Sequence, residues 1–331
     1  MLPRIVATVP APSPAVTINR SHLSPSGSTM TPPSIPNVAT AGIVPAECPE
    51  IVRLDRGSER GEGGPMEAPE PKGASLPLRG AWILDLDGVV WLAGQPIEGV
   101  GEAVGLLRGH GVRVVFATNN SAPTLDELIE RMRRADIAAE PADIITSAQA
   151  AAALVGRGES VLAVADGGAR EALLARGARL VDEGPVDAVV VGWTHDFTFD
   201  RLTQAADAVR AGARLIGTNE DPTHPTPTGL LPGSGALLAA VVTASGHDAQ
   251  VAGKPYQPMI DLIRAHHPDV SVVVGDRPST DGLLARALGA PFALVLSGVT
   301  SAGDPVDPPA DVTASDLSAL VEGALDHRAV T

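Results

Sequence analysis

The chain of 331 residues has a single cysteine, Cys48, so no disulfide framework closes within it, and we expect a reducing, cytoplasmic setting. It has no apolar run approaching the roughly 20 residues that a membrane helix needs. The longest candidate, 236–244, reads as a buried helix. Pro10, Pro12 and Pro14 interrupt the apolar patch near the N-terminus, which argues against a secretory signal. Lysine is nearly absent: of 24 basic residues, only Lys72 and Lys254 are not arginine. The net charge of -15 argues against a polyanionic nucleic-acid partner. It also means that a bound phosphate would need local cations: a metal, a placed lysine or helix N-termini.

What is there divides into two parts. Residues 1–77 hold 14 of the 30 prolines, many Ser, Thr and Gly, and no sustained periodicity. Such a segment does not bury enough apolar area to offset its ordering entropy, and we expect a disordered extension. The lack of acidic residues before Glu47 faintly suggests an organelle transit peptide, although the prolines oppose its amphipathic helix. A translation start at Met66 is the other alternative.

From Leu78 onward, strand-like and helix-like segments alternate, which predicts an α/β fold with a parallel sheet between helices. Strands are expected at 81–84, 113–117, 161–165, 187–191, 214–216, 271–274 and 292–296. Helices are expected at 125–134, where Thr124 and Glu127 have capping-box spacing, and at 199–211 and 257–267.

Four signals fall at ends of these segments. The first is Asp85-Leu86-Asp87-Gly88-Val89 after an apolar strand. Period two starts both carboxylates on one face, where a cation or a retained proton must relieve their repulsion. An acidic turn would use the same residues. The second is Thr118-Asn119-Asn120-Ser121, whose hydroxyls and backbone N–H groups suit a phosphate oxygen or an ordinary loop. The third is Gly253-Lys254-Pro255, where a compact ammonium could sit among carboxylates and a phosphate. The fourth is Val274-Gly275-Asp276-Arg277, followed by Thr280-Asp281. Asp276 could join Asp85 in holding Mg²⁺, while Asp281 could orient that shell or favour a helix N-terminus.

In this order the signals resemble the haloacid dehalogenase-like phosphohydrolases. The segments Val189–Trp193, Phe197–Asp200, Thr218–Asp221, His224-Pro225 and Pro232–Gly235 resemble the cap of the 4-nitrophenylphosphatase-like subfamily. That group includes phosphoglycolate, glycerol-phosphate, pyridoxal-phosphate and nucleotide phosphatases. The resemblance implies a doubly wound, Rossmann-like catalytic core at 78–157 and 249–331, with a smaller α/β cap inserted at 158–248. It also implies a Mg²⁺-dependent phosphatase acting on small phosphorylated metabolites, and a homodimer formed through the cap.

By the same resemblance, Asp85 is the nucleophile and Asp87 the proton carrier. Mg²⁺ would be held by Asp85, Asp276 and the backbone carbonyl of Asp87. Thr118 and Lys254 would bind the phosphoryl oxygens, with Asn119 and Asn120 in support. Trp193 and His224 would face the leaving group, the alternatives being cap core for Trp193 and a plain loop for His224. Gly233-Ser234-Gly235 reads as a helix-starting turn. Ser279 departs from the pattern, which often has an acidic residue there. A phosphotransferase or mutase, or an inactive metabolite-binding module, are the competing functions; loss of a catalytic residue would mark the latter, and none is lost.

Overall fold

The computed structural model describes residues 76–226 and 229–330. The expected extension, with Cys48, Met66 and Lys72, lies outside the described residues except for its last two positions. From one edge to the other, the larger sheet runs Val312–Ala314, Phe292–Val295, Val270–Gly275, Ala81–Leu84, Arg113–Thr118 and Ile144–Thr146. Every neighbouring pair is parallel. Its strands are apolar at successive positions because both faces are covered. Trp82 and Leu84 join Val114, Phe116 and Val272 beneath the helices Val100–Gly109 and Leu317–Val330. Ala81 and Ile83 turn to the other face with Val115, Val273 and Phe292, toward Ser147–Ala153 and Gln257–His266.

Between Ile144–Thr146 and Val270–Gly275 the chain builds a second, five-stranded parallel sheet. Its order is Gln250–Val251, Arg214–Gly217, Ala188–Val191, Ser160–Val164 and Arg179–Leu180. One face packs Val189, Val191 and Leu215 against Ala205, Val209, Leu238 and Val241 of two helices. The other places Val161, Val190 and Ile216 in the same apolar cluster that covers one face of the larger sheet. The two sheets therefore share a continuous core.

The helix Leu125–Arg134 has the expected capping box: the Glu127 N–H donates to Thr124 Oγ1, and the Thr124 N–H to Glu127 Oε2. The segment expected as a buried helix is Ser234–Ser245, starting after Gly233, and this expectation needs correction. Leu238 and Val241 are buried, whereas Ala236, Ala239 and Thr243 are exposed. Alanine stabilises a helix without needing burial, so its apolar composition overstated how much of this helix is covered. Among the described residues, no helix is long and apolar enough to cross a membrane.

Candidate active site

Asp85 follows the strand Ala81–Leu84, Thr118 ends Arg113–Thr118, and Asp276 follows Val270–Gly275. These strands are adjacent at the centre of the larger sheet, so three residues far apart in sequence meet at its carboxyl edge. Lys254, just beyond the last strand of the second sheet, reaches the same point. Its Nζ lies 2.8 Å from Asp85 Oδ1 and 2.7 Å from Asp281 Oδ1. Lys254 is 3% exposed, Asp276 4% and Asp281 1%. An oxygen from each of Asp85, Asp276 and Asp281 lies within 4.8 Å of the others. The Asp87 side chain stands outside this trio.

One ammonium thus faces three carboxylates in a dry setting. Burial disfavours the charged lysine, but the Asp281 and Asp85 carboxylates outweigh it and raise its pKa. Burial raises the Asp85 pKa well above the carboxylate range; Asp281 and Asp276 add to this, and Lys254 opposes it. Burial and Asp281 push Asp276 up to about 6. The cluster has more negative charge than Lys254 neutralises, and its donors are hard oxygens. That combination fits a divalent cation such as Mg²⁺. Gly88 keeps the approach open, since at φ +85° a Cβ there would lie 2.2 Å from Asp276 Oδ2.

Asn119 lines the same pocket and holds the lysine in place. Its Oδ1 accepts the Lys254 N–H at 2.8 Å, and its Nδ2 donates to the Lys254 carbonyl at 3.2 Å. The Asn119 carbonyl accepts from Ser147 Oγ and from Asn219 Nδ2, each at 2.6 Å. Gly253 permits this close passage, because a Cβ there would meet Asn119 Oδ1 at 2.6 Å. Asn120 caps its own loop through Oδ1, which accepts the Ala122 N–H at 3.1 Å, and its N–H donates to Thr118 Oγ1 at 3.0 Å.

A pocket opens over these residues and is lined by Asp85, Asp87, Thr118, Asn120, Lys254 and Asp276. Trp193 and His224 enter it from the second sheet's side. Their rings lie 5.0 Å apart, and Trp193 Nε1 donates to the Pro232 carbonyl at 3.0 Å. Half-buried Trp193 is therefore wall rather than core. His224 lies on the hairpin Thr223–Thr226 and Gly229–Pro232, and burial lowers its pKa against the opposing pull of Asp87. Sequence reasoning did not assign a site role to Asn219, Asp221 or Arg277, which also line the pocket. Asn219 and Asp221 follow the apolar strand Arg214–Gly217, the strand-end pattern that marked Thr118–Ser121. Ser279 is exposed and away from the pocket, so its departure from the expected acidic residue leaves the carboxylate cluster intact.

Comparison with known proteins agrees with this arrangement. Residues 82–179 match the haloacid dehalogenase-like hydrolase family, and 251–320 match the HAD-hydrolase-like family. D-glycerol 3-phosphate phosphatase of Mycobacterium tuberculosis is 39% identical over 231 residues, 68% of this chain. The match spans 65% of that enzyme, just under two thirds of its length. The acid sugar phosphatase of Staphylococcus haemolyticus is 33% identical over 66% of this chain and 86% of its own. Among solved structures, a glycerol phosphate phosphatase from M. tuberculosis in complex with magnesium superposes with a TM-score of 0.67. It is 36% identical over 72% of this chain and 75% of that one. The p-nitrophenyl phosphatase of Archaeoglobus fulgidus gives 0.68, at 28% identity over 73% and 98% of the two chains. Both family matches take in the strand ends that bear the carboxylates, and the likeness to the staphylococcal enzyme runs through both sheets. The chain belongs to the haloacid dehalogenase-like hydrolases, in their 4-nitrophenylphosphatase-like subfamily.

Proposed function

We propose that the protein is a Mg²⁺-dependent phosphatase that hydrolyses small phosphate monoesters through an aspartyl-phosphate. The observation that carries this is the trio Asp85, Asp276 and Asp281 around one buried lysine at the carboxyl ends of adjacent strands. In the first step an Asp85 oxygen attacks phosphorus and the bond to the leaving oxygen breaks. Protonated Asp87 gives its proton to that oxygen. In the second step water attacks phosphorus, Asp87 takes its proton back from the water, and the Asp85–phosphorus bond breaks to release phosphate. Lys254 and the Thr118 hydroxyl stabilise the charge on the transferring oxygens. Asp85 and Asp276, with the Asp87 carbonyl, would hold Mg²⁺, which would neutralise charge between the nucleophile and the anionic substrate.

The second sheet and its helices act as a cap that limits substrate size. The cavity is small, about 70 Å³, the liquid volume of roughly two waters. Asn219, Asp221, Thr223, His224 and Ser234 give it a hydroxyl-matching wall. We therefore favour phosphates of small polyols or sugars, in keeping with the names of the mycobacterial and staphylococcal relatives. The test is release of inorganic phosphate from glycerol 3-phosphate, sugar phosphates, phosphoglycolate and 4-nitrophenyl phosphate, with Mg²⁺ or with EDTA. Release that requires Mg²⁺ supports the proposal. No release from any of these, or release indifferent to chelation, overturns it.

Metal binding should depend on pH in a defined direction. The folded-state pKa of Asp276 is about 6 against an ordinary 3.8. In metal-free protein its contribution to stability is therefore complete below pH 3.8 and is lost as pH rises through about 6. Mg²⁺ takes the ionised form and so competes with that proton. Saturating Mg²⁺ is expected to raise the thermal midpoint at about pH 7.5 clearly more than at about pH 5. Equal shifts at both values would count against Asp276 as a ligand.

A further inference from the structure

Trp91 has no place in the chemistry described so far. It is 3% exposed and packs in the apolar cluster beneath the larger sheet. After the strand Ala81–Leu84 the chain makes one tight loop: the Leu86 carbonyl accepts the N–H groups of Val90 at 2.9 Å and Trp91 at 3.1 Å. The Gly88 N–H donates to the Trp91 carbonyl at 2.7 Å, closing the loop from the other side. This geometry brings the indole back against Asp87, and Trp91 Nε1 donates to Asp87 Oδ1 at 3.1 Å. That indole donates to the Asp87 carboxyl from within the apolar cluster.

We propose that Trp91 is a positioning residue for the acid step, holding Asp87 so that its proton rides on Oδ2, toward the leaving group. An indole N–H donates and never accepts, and a carbonyl oxygen is a better acceptor than a carboxylic O–H oxygen, so engaging Oδ1 favours the proton on the other oxygen. The donor itself is fixed by burial and by the loop, so the carboxyl loses rotational freedom before substrate arrives. A serine or lysine in this place would be mobile or, for serine, able to take the proton. This inference rests on Asp87 being the general acid of the proposed phosphatase.

The test uses leaving groups of different basicity. An alkoxide leaves poorly without a proton, whereas 4-nitrophenolate leaves unaided. Trp91→Phe is expected to lower kcat/KM for glycerol 3-phosphate by about 10-fold, a fraction of the whole acid-catalytic effect, with little change for 4-nitrophenyl phosphate. Asp87→Asn should show the same selectivity more strongly. Trp82→Phe is the matched control, since Trp82 is also buried and its Nε1 donates to the Pro77 carbonyl at 2.9 Å, away from the pocket. It should not change the ratio between the two substrates. If Trp91→Phe lowers both substrates equally while Asp87→Asn is selective, the Trp91 inference is overturned. If Asp87→Asn itself is not selective, the acid role of Asp87 falls. Should Trp91→Phe not fold, the three indole N–H resonances decide. Asp87→Asn must move the Trp91 signal and leave that of Trp82, and an unmoved Trp91 signal refutes the contact.

Discussion

Asp85→Asn is expected to abolish turnover, lowering kcat by about 10⁴-fold or more, because a carboxamide does not form the phosphoryl intermediate. The substitution keeps the shape of the side chain and takes one negative charge from a buried group that has too many. Asp85 carries a raised pKa, with burial, Asp281 and Asp276 outweighing Lys254. The metal-free variant should therefore be no less stable than the parent at neutral pH. Phosphate release and thermal unfolding, measured on the same preparation, separate the two effects. A variant that keeps a tenth of the parent's activity would rule out covalent catalysis by Asp85. A variant that loses activity only because it unfolds would show that the carboxylate is needed for structure.

Lys254→Met reverses that electrostatic logic. Methionine fills much of the same space but leaves Asp85 and Asp281 without their ion-pair partner. Breaking a buried ion pair from one side costs about 3–5 kcal/mol. For a domain of this size that is about a 10 °C fall in thermal midpoint near neutral pH. The fall should shrink in acid, where the raised carboxylates take up protons, and Mg²⁺ should recover part of it. Activity should drop by about 10²–10³-fold, as for loss of one charge-stabilising donor. Since Asn119 grips the Lys254 backbone from both sides, the main chain should stay in place. An unchanged midpoint in metal-free buffer would mean that the lysine does not neutralise this cluster.

Much of the fold was legible because burial on both faces writes an apolar run into each core strand. Ala81–Leu84 has the expected limits, and Arg113–Thr118 and Val270–Gly275 exceed expectation by a residue or two. Short strands such as Ile144–Thr146 and Val312–Ala314 were not legible, since three residues show no period. The residue types at the site were legible too. Asp85, Asp87, Thr118, Lys254 and Asp276 all line one pocket, and Trp193 and His224 line its far wall. Asn119 was expected to support the phosphate-binding residues, and its amide does grip the Lys254 backbone, a partner no local pattern names. Nothing in a run of polar residues says which of them faces solvent, ligand or a neighbouring peptide group.

The sequence by itself determined the chemical inventory: two carboxylates separated by one residue, one of only two lysines in an arginine-rich chain, and a further carboxylate after another apolar strand. Those are local facts of composition and period. Only the tertiary structure decided that Asp85 and Asp281 share the Lys254 ammonium and that Asn219 of the second sheet ties down Asn119. It alone placed the Trp91 indole on the carboxyl of Asp87. The order of strands in a parallel sheet depends on how crossover helices pack, so partners distant in the chain are not written in either segment alone.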